Sequence, residues 1–209
     1  RDIKFTYTMG TKEIEMIDKK VEASKLDTQF NDIKGAKLQV ISTKTKQIVD
    51  EWVTDGTVHS IENLIVGHEY ILREIDIPQG YVKAEDIVFT VNNDQQNQSI
   101  KMIDKQVIIS KIDAHDNRLK GAELSVLDAD GNVIDHWISD GNDHYVSGLI
   151  EGNEYTLHEN QPPQGYLLAQ DIQFVVTKEK ENQFITMKDE QVLTDIQAVS
   201  YTHLRAHET

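Results

Sequence analysis

The chain has 209 residues, of which 38% are hydrophobic and 27% are charged, as is usual for a globular protein of one or two domains. Its formal net charge of −15 would repel phosphate backbones and anionic lipid, so neither nucleic acid nor a membrane is expected as a partner. No run approaches the roughly 18 apolar residues of a transmembrane helix, and the lack of cysteine excludes disulfides and thiolate metal sites.

The sequence contains an internal repeat. "VEASKLD" at Val21 reappears as "VIISKID" at Val107, and the segments that follow match in the same order. The matching pairs are IKGAKLQV and LKGAELSV, DEWVTDG and DHWISDG, IPQGYVKAEDIVFTV and PPQGYLLAQDIQFVV, and IKMIDKQ and ITMKDEQ. Internal repetition is strong evidence of domain organisation, so we predict two tandem domains over residues 20–104 and 105–190. The polar linkers between copies are very short, which predicts stacked domains.

The two ends of the chain match only parts of the repeat. Residues 1–19 match its last third, so we interpret them as the C-terminal remnant of a preceding copy and expect a longer native array. Residues 191–209 begin a further copy and then depart from it at "VSYTHLRAHET", which resembles a translated adapter sequence. His203 and His207 have the spacing of helical metal ligands, but we expect no zinc site in this tail.

Each copy contains short segments rich in Val, Ile, Thr, Tyr and Phe. In chain order, the first copy runs through VEASKLD, GAKLQV, DEWVTD, YILREID, DIVFTV and IKMID, with Gly, Asp, Asn or Pro between the segments. This pattern is typical of an antiparallel sandwich or barrel, and no helical period of 3.6 competes with it. We predict an all-β fold of about seven strands in two sheets, formed twice.

Strand alternation places three charged residues per copy on core-facing positions. Side chains on a strand point to opposite faces in turn, so a charged residue two positions from a core residue shares its face. In the first strand, a lysine follows Val21 and Ala23 at this two-residue spacing. The last strand ends on an aspartate that has the same spacing from its core residues. The inward residues are Lys25, Glu74 and Asp104 in the first copy and Lys111, Glu159 and Asp189 in the second.

Three buried charges in one domain are expected to meet, because burying an isolated ion costs several kcal/mol. An apolar environment raises the pKa of a carboxyl and lowers that of an amine, and an uncharged lysine is a nucleophile. A protonated glutamate could polarise the aspartate carbonyl and move protons while the amine attacks and water leaves. The product would be an amide between two side chains. An unreacted ion pair and a register slip that exposes the charges are the alternatives.

The residues of these motifs resemble the Cna B-type domains, also called SpaA-like prealbumin-fold domains, of Gram-positive adhesins and pilins. The resemblance is carried by SKLD and SKID, GAKL and GAEL, LREIDIPQGY and LHENQPPQGY, and MIDK and MKDE, and it covers residues 20–190. It implies a prealbumin-like or Ig-like sandwich with an intramolecular isopeptide bond between a first-strand lysine and a last-strand Asn or Asp, assisted by a glutamate. By position these would be Lys25, Asp104 and Glu74, and Lys111, Asp189 and Glu159.

Other conspicuous residues are expected to be structural. Core packing or turn geometry is predicted for Trp52, Trp137, Tyr81, Tyr166, Pro78 and Pro163. His59 and His144 are interpreted as surface residues. Four residues have spacings loosely like those of a calcium-binding loop: Asp128, Asp130, Asn132 and Asp135. The segment lacks the closing glutamate of such a loop, so a hairpin turn is the better interpretation.

The leading functional hypothesis is a stalk or spacer of an extracellular, cell-wall-attached adhesin or pilus, with neighbouring repeats as its partners. The alternative is a module that binds a host matrix protein or a glycan, although such binding could also lie in other regions of the protein. A third class is an enzyme or its accessory domain, but we find no catalytic motif and expect neither cofactor nor turnover beyond a single self-crosslinking event.

Overall fold

A computed structural model of the chain describes residues 20–92, 94 and 96–193. The described residues form strands, turns and loops, and none of them is helical. The expectations for residues 1–19, and for the tail from residue 194 that includes His203 and His207, lie outside the described residues.

Two units of seven strands follow one another along the chain, as the repeat predicts. Domain 1 contains β1 (Val21–Asp27), β2 (Lys34–Ser42), β3 (Ile48–Asp55), β4 (His59–Ile61), β5 (Glu69–Asp76), β6 (Ile87–Thr90) and β7 (Gln98–Asp104). Domain 2 contains β8 (Val107–Asp113), β9 (Lys120–Leu127), β10 (Val133–Asp140), β11 (His144–Tyr145), β12 (Glu154–Gln161), β13 (Ile172–Val175) and β14 (Gln183–Asp189).

Each domain is a sandwich of a three-stranded and a four-stranded sheet. The sheet orders are β4-β1-β7 and β3-β2-β5-β6 in domain 1, and β11-β8-β14 and β10-β9-β12-β13 in domain 2. In domain 1 the core between the sheets combines Ala23 and Met102 from the smaller sheet with Leu38 and Leu72 from the larger one. The prediction of an all-β, two-sheet sandwich formed twice is confirmed.

The first and last strands of each domain pair in parallel. In domain 1 Val21 lies opposite Gln98 and Asp27 opposite Asp104, and β8 pairs with β14 in the same way. The predicted antiparallel pattern holds for the other strand pairs of the described residues. The exception arises because no hairpin joins the first strand to the last, so no turn sets their relative direction. The chain therefore enters a domain at one end and leaves it at the other.

The smaller motifs fold as expected. Tyr81 donates its amide hydrogen to the Pro78 carbonyl across 3.3 Å, which closes the turn after β5. Trp52 packs at the edge of the domain 1 core. The Asp128 carboxylate accepts the amide hydrogens of Asp130 and Asn132 at 3.0 and 2.8 Å, so this segment is a hairpin turn between β9 and β10, as predicted.

Candidate functional site

Domain 1 brings its three predicted charged residues together in the core. Lys25 on β1 and Asp104 at the end of β7 belong to the smaller sheet, while Glu74 on β5 faces them from the larger sheet. The Lys25 Nζ donates a hydrogen bond to Asp104 Oδ1 and lies 2.9 Å from Glu74 Oε1. All three side chains have an exposed fraction of 0%.

Domain 2 repeats this cluster with its own residues. Lys111 Nζ donates a hydrogen bond to Asp189 Oδ1 and lies 2.8 Å from Glu159 Oε1. The lysine side chain is 2% exposed and the two carboxylates 0%. Each domain therefore holds one amine and two carboxyls in a closed site.

Parallel pairing sets the position of the lysine relative to the aspartate. Lys25 lies opposite Met102, which precedes Asp104 by two positions and shares its face. The amine therefore reaches diagonally along one face of the sheet to the last core-facing position of β7. The register of domain 2 is the same, with Lys111 opposite Met187.

A β-bulge lies beside each glutamate. Glu74 pairs with Leu38, but the next pair joins Asp76 to Lys37, so Ile75 is left without an opposite residue. In domain 2 the same shift falls between Glu159 and Gln161. Bulges bend a strand and redirect its side chains, and they are common next to active sites.

A backbone amide fixes the far oxygen of each glutamate. Ala84 donates its amide hydrogen to Glu74 Oε2 at 3.0 Å, and Ala169 donates to Glu159 Oε2 at 2.7 Å. Each donor lies shortly after the Pro-Gln-Gly-Tyr turn, on the segment that leads to the next strand. The sequence analysis missed these donors because a backbone amide has no residue signature. The glutamate is thus held with its other oxygen directed at the lysine.

The environment favours the neutral form of the aspartate. Burial raises the pKa of Asp104 to about 7, a shift opposed by the Lys25 charge and reinforced by Glu74. Burial also raises the pKa of Asp189, with the same opposition from Lys111 and support from Glu159. An aspartic acid that keeps its proton near neutral pH is a better acyl acceptor than a carboxylate, because the leaving hydroxyl carries its proton with it.

One oxygen of each carboxyl in the cluster accepts no hydrogen bond. These buried atoms are Glu74 Oε1 and Asp104 Oδ2 in domain 1, and Glu159 Oε1 and Asp189 Oδ2 in domain 2. The two glutamate oxygens are nevertheless ion-paired with their lysines at 2.9 and 2.8 Å, so Asp104 Oδ2 and Asp189 Oδ2 are the cluster oxygens without a partner. Two carboxyls and one amine leave more acceptors than donors, which is costly in a buried site unless a proton is shared between the carboxyls.

The two histidines predicted to lie at the surface are half-buried. His59 stacks on Trp52 with ring centroids 3.9 Å apart, and its Nε2 lies 3.0 Å from Asp50 Oδ2. His144 makes the equivalent stack with Trp137. The prediction was wrong because it used sequence neighbours, whereas the stacking partner comes from a strand of the other sheet. These pairs join the two sheets at their open edge.

The described residues contain no group of three or more His, Cys, Asp or Glu side chains arranged to hold a metal ion. Within the same residues, no helix is long and apolar enough to cross a membrane.

Comparison with known proteins gives a family match and several structural likenesses. The SpaA family, a prealbumin-like fold domain, matches twice, over residues 19–106 and 105–191. A shaft pilin of Lactobacillus rhamnosus GG is 11% identical with a TM-score of 0.38, covering 83% of this chain and 98% of its own. A streptococcal ancillary pilin is 20% identical with a TM-score of 0.40, covering 84% and 63%. The minor pilin GBS52 of Streptococcus agalactiae is 11% identical with a TM-score of 0.39, covering 91% and 100%. No curated protein sequence matches.

Proposed function

Because the chain belongs to the SpaA family of prealbumin-like fold domains, we propose that it is a load-bearing shaft or spacer segment of a Gram-positive cell-surface adhesin or pilus. Each domain is tied internally by an isopeptide bond between its lysine and its aspartate. The observation that carries the proposal is the closed cluster of one lysine and two carboxyls, present in both domains and spanning the first and last strands.

The bond forms by condensation of the amine with the aspartic acid. The neutral Lys25 Nζ attacks Asp104 Cγ, a C–N bond forms, and the C–O bond to the protonated oxygen breaks. Glu74 accepts a proton from the attacking nitrogen and delivers one to the departing hydroxyl, which leaves as water. The glutamate returns to its starting state. Lys111, Asp189 and Glu159 follow the same course in domain 2, and each domain reacts once.

The geometry supports condensation over a permanent ion pair. A buried ion pair is stabilising only when the remaining lone pairs are satisfied, and here Asp104 Oδ2 and Asp189 Oδ2 accept no hydrogen bond. The raised pKa of Asp104 favours the protonated acid that reacts. Loss of water removes two opposite charges and leaves a neutral amide in the core.

The position of the bond suits a protein that carries tension. In the parallel pair, force that enters at Val21 passes along β1 to Lys25, crosses the bond, and leaves the domain beyond Asp104. The 79 positions that separate the bonded residues are bypassed. Neighbouring repeats of the same chain are the mechanical partners, and the site of action is outside the cell at the wall.

Single-molecule pulling on the full chain tests the mechanical role. The parent protein should show no unfolding extension from the bypassed segments. A variant with Lys25→Ala and Lys111→Ala should lengthen by roughly 260 to 280 Å per domain, at 3.3 to 3.6 Å for each released residue. Equal extension from both proteins would contradict the proposal.

A further inference from the structure

The junction between the two domains buries a residue of domain 1 in the core of domain 2. Val82, just after the Pro-Gln-Gly-Tyr turn, is 1% exposed and packs in the cluster that contains Val107, Val146 and Leu149. Beside it, the Gly80 amide donates to Ser147 Oγ at 2.9 Å. Domain 2 therefore uses an apolar side chain of domain 1 to complete its core.

The same junction buries a lysine of the linker. Lys105 is 3% exposed, and its Nζ lies 2.8 Å from Glu151 Oε1 of domain 2. It also donates hydrogen bonds to the carbonyl oxygens of Thr177 and, at 3.0 Å, Glu179. The cation is thus paired with an acid and satisfied by carbonyls, as a buried charge requires.

The C-terminal end of domain 2 repeats the backbone of this junction. Leu167 and Glu190 stand where domain 1 has Val82 and Lys105. The Leu167 amide donates to the Glu190 carbonyl at 2.8 Å, just as the Val82 amide donates to the Lys105 carbonyl at 2.9 Å. The backbone hydrogen bond that joins the loop to the linker at the first junction is therefore also present at this end.

Among the described residues, none covers the side chains at this end in the way that domain 2 covers those of domain 1. Leu167 is 49% exposed and Leu168 is 58% exposed, against 1% for Val82. A cavity of about 480 Å³ lies beside the two leucines and reaches Lys188 and Glu190. The corresponding cavity in domain 1 is about 170 Å³ and is lined partly by residues of domain 2.

The charge at this end is the reverse of the charge at the first junction. At the first junction, Lys105 forms an ion pair with Glu151. At a second junction of the same kind, the exposed Glu190 would take the place of Lys105 and would face that glutamate with a like charge. Burial of a carboxylate in an interface requires a cation or several donors, and like charges placed together disfavour the wrong partner.

From these observations we infer that the C-terminal end of domain 2, formed by Leu167, Leu168 and Glu190, is a docking face for the N-terminal end of another domain of this fold. That partner domain has an apolar pocket that accepts Leu167, and it has a basic residue at the position of Glu151. The inference extends the proposed shaft function, but the interface needs no covalent bond and is independent of whether the isopeptide bonds form.

A disulfide trap in an extended chain tests the docking face. A copy of residues 107–191 is inserted between Gln191 and Val192 of the full chain, with Leu168→Cys in domain 2 and Ile150→Cys in the insert. The native chain has no cysteine. These two positions correspond to Lys83 and Ile150, which form a β-bridge across the existing junction. A Lys83→Cys and Ile150→Cys pair across that junction is the positive control, and far-UV circular dichroism verifies that the insert folds.

Disulfide formation should depend on the charge facing Glu190. With Glu151→Lys in the insert, the disulfide should form at least about tenfold faster than with the native glutamate, and Leu167→Asp should abolish this gain. Rates that are equal in all three chains would overturn the inference. So would a folded Glu151→Lys insert that forms no disulfide while the Lys83 control does.

Discussion

Lys25 hydrogen-bonds to Asp104 although 79 positions separate them in sequence, and both side chains are fully buried. The contact joins the first strand of domain 1 to its last, and Glu74 completes it from the opposite sheet. Domain 2 reproduces the arrangement with Lys111, Asp189 and Glu159. A cluster so costly to bury, formed twice at equivalent positions, is best explained by chemistry among its members.

Glu74→Ala should leave domain 1 folded and unlinked, because the glutamate moves protons but forms no bond in the product. Trypsin digestion and mass spectrometry should then find the branched peptide of Lys111 and Asp189 but not that of Lys25 and Asp104. Glu159→Ala should give the opposite result, so each variant contains its own control. A Lys25–Asp104 branched peptide in Glu74→Ala would refute the assigned role of the glutamate.

Replacing Lys25 and Lys111 with alanine should lower the melting temperature by at least about 10 °C. The bond removes about 4 to 5 kcal/mol of unfolded-state entropy per domain in the chain-entropy model, and each kcal/mol corresponds to roughly 4 to 8 °C in a domain this small. The loss also leaves buried carboxyls without an amine. Lys44→Ala, at an exposed turn position, is the matched control and should melt with the parent. A double variant that melts with this control would argue against the bond.

Removing the bond should give domain 1 a new pH dependence of stability. In Lys25→Met, Asp104 is again a free acid, and burial keeps its folded pKa above the ordinary value of 3.8. Between about pH 4 and 7 the folded state retains a proton that the unfolded state releases, so the free energy of unfolding falls as pH rises. The slope is about 1.4 kcal/mol per pH unit for one proton.

Denaturant titrations of Lys25→Met and the parent across this range would measure that slope. The parent should lack it, because the proposed bond converts its Asp104 to an amide that does not titrate. Carboxylates outside the cluster have the same surroundings in both proteins, so the difference between the two curves isolates the cluster that contains Asp104. Parallel curves would mean that Asp104 titrates in both proteins or in neither.

The fold and the cluster were predictable because two copies of the sequence report on the same structure. Alternation alone would not distinguish an inward Glu74 from an irregular strand, but Glu159 at the matching position of the second copy does. The same logic placed Lys25 and Asp104 on core faces. The alternation of buried and exposed side chains along a strand is a local property, so it can be predicted from the sequence.

Features that depend on contacts between distant segments were not predictable. The parallel pairing of β1 and β7 follows from how the strands pack, and the bulge at Ile75 depends on pairing with another strand. The stack of His59 on Trp52 joins the two sheets. Val82 has the composition of an ordinary core residue, and only the structure identifies its core as that of the next domain.

The intact mass of the denatured protein tests the central claim most directly, because each condensation of lysine with aspartate removes one water, about 18 Da. The parent should be about 36 Da lighter than its sequence mass, and the Lys25→Ala variant about 18 Da lighter than its own. The double lysine variant should have its full sequence mass. A parent protein with its full sequence mass would show that both clusters are unreacted ion pairs, and would contradict the account.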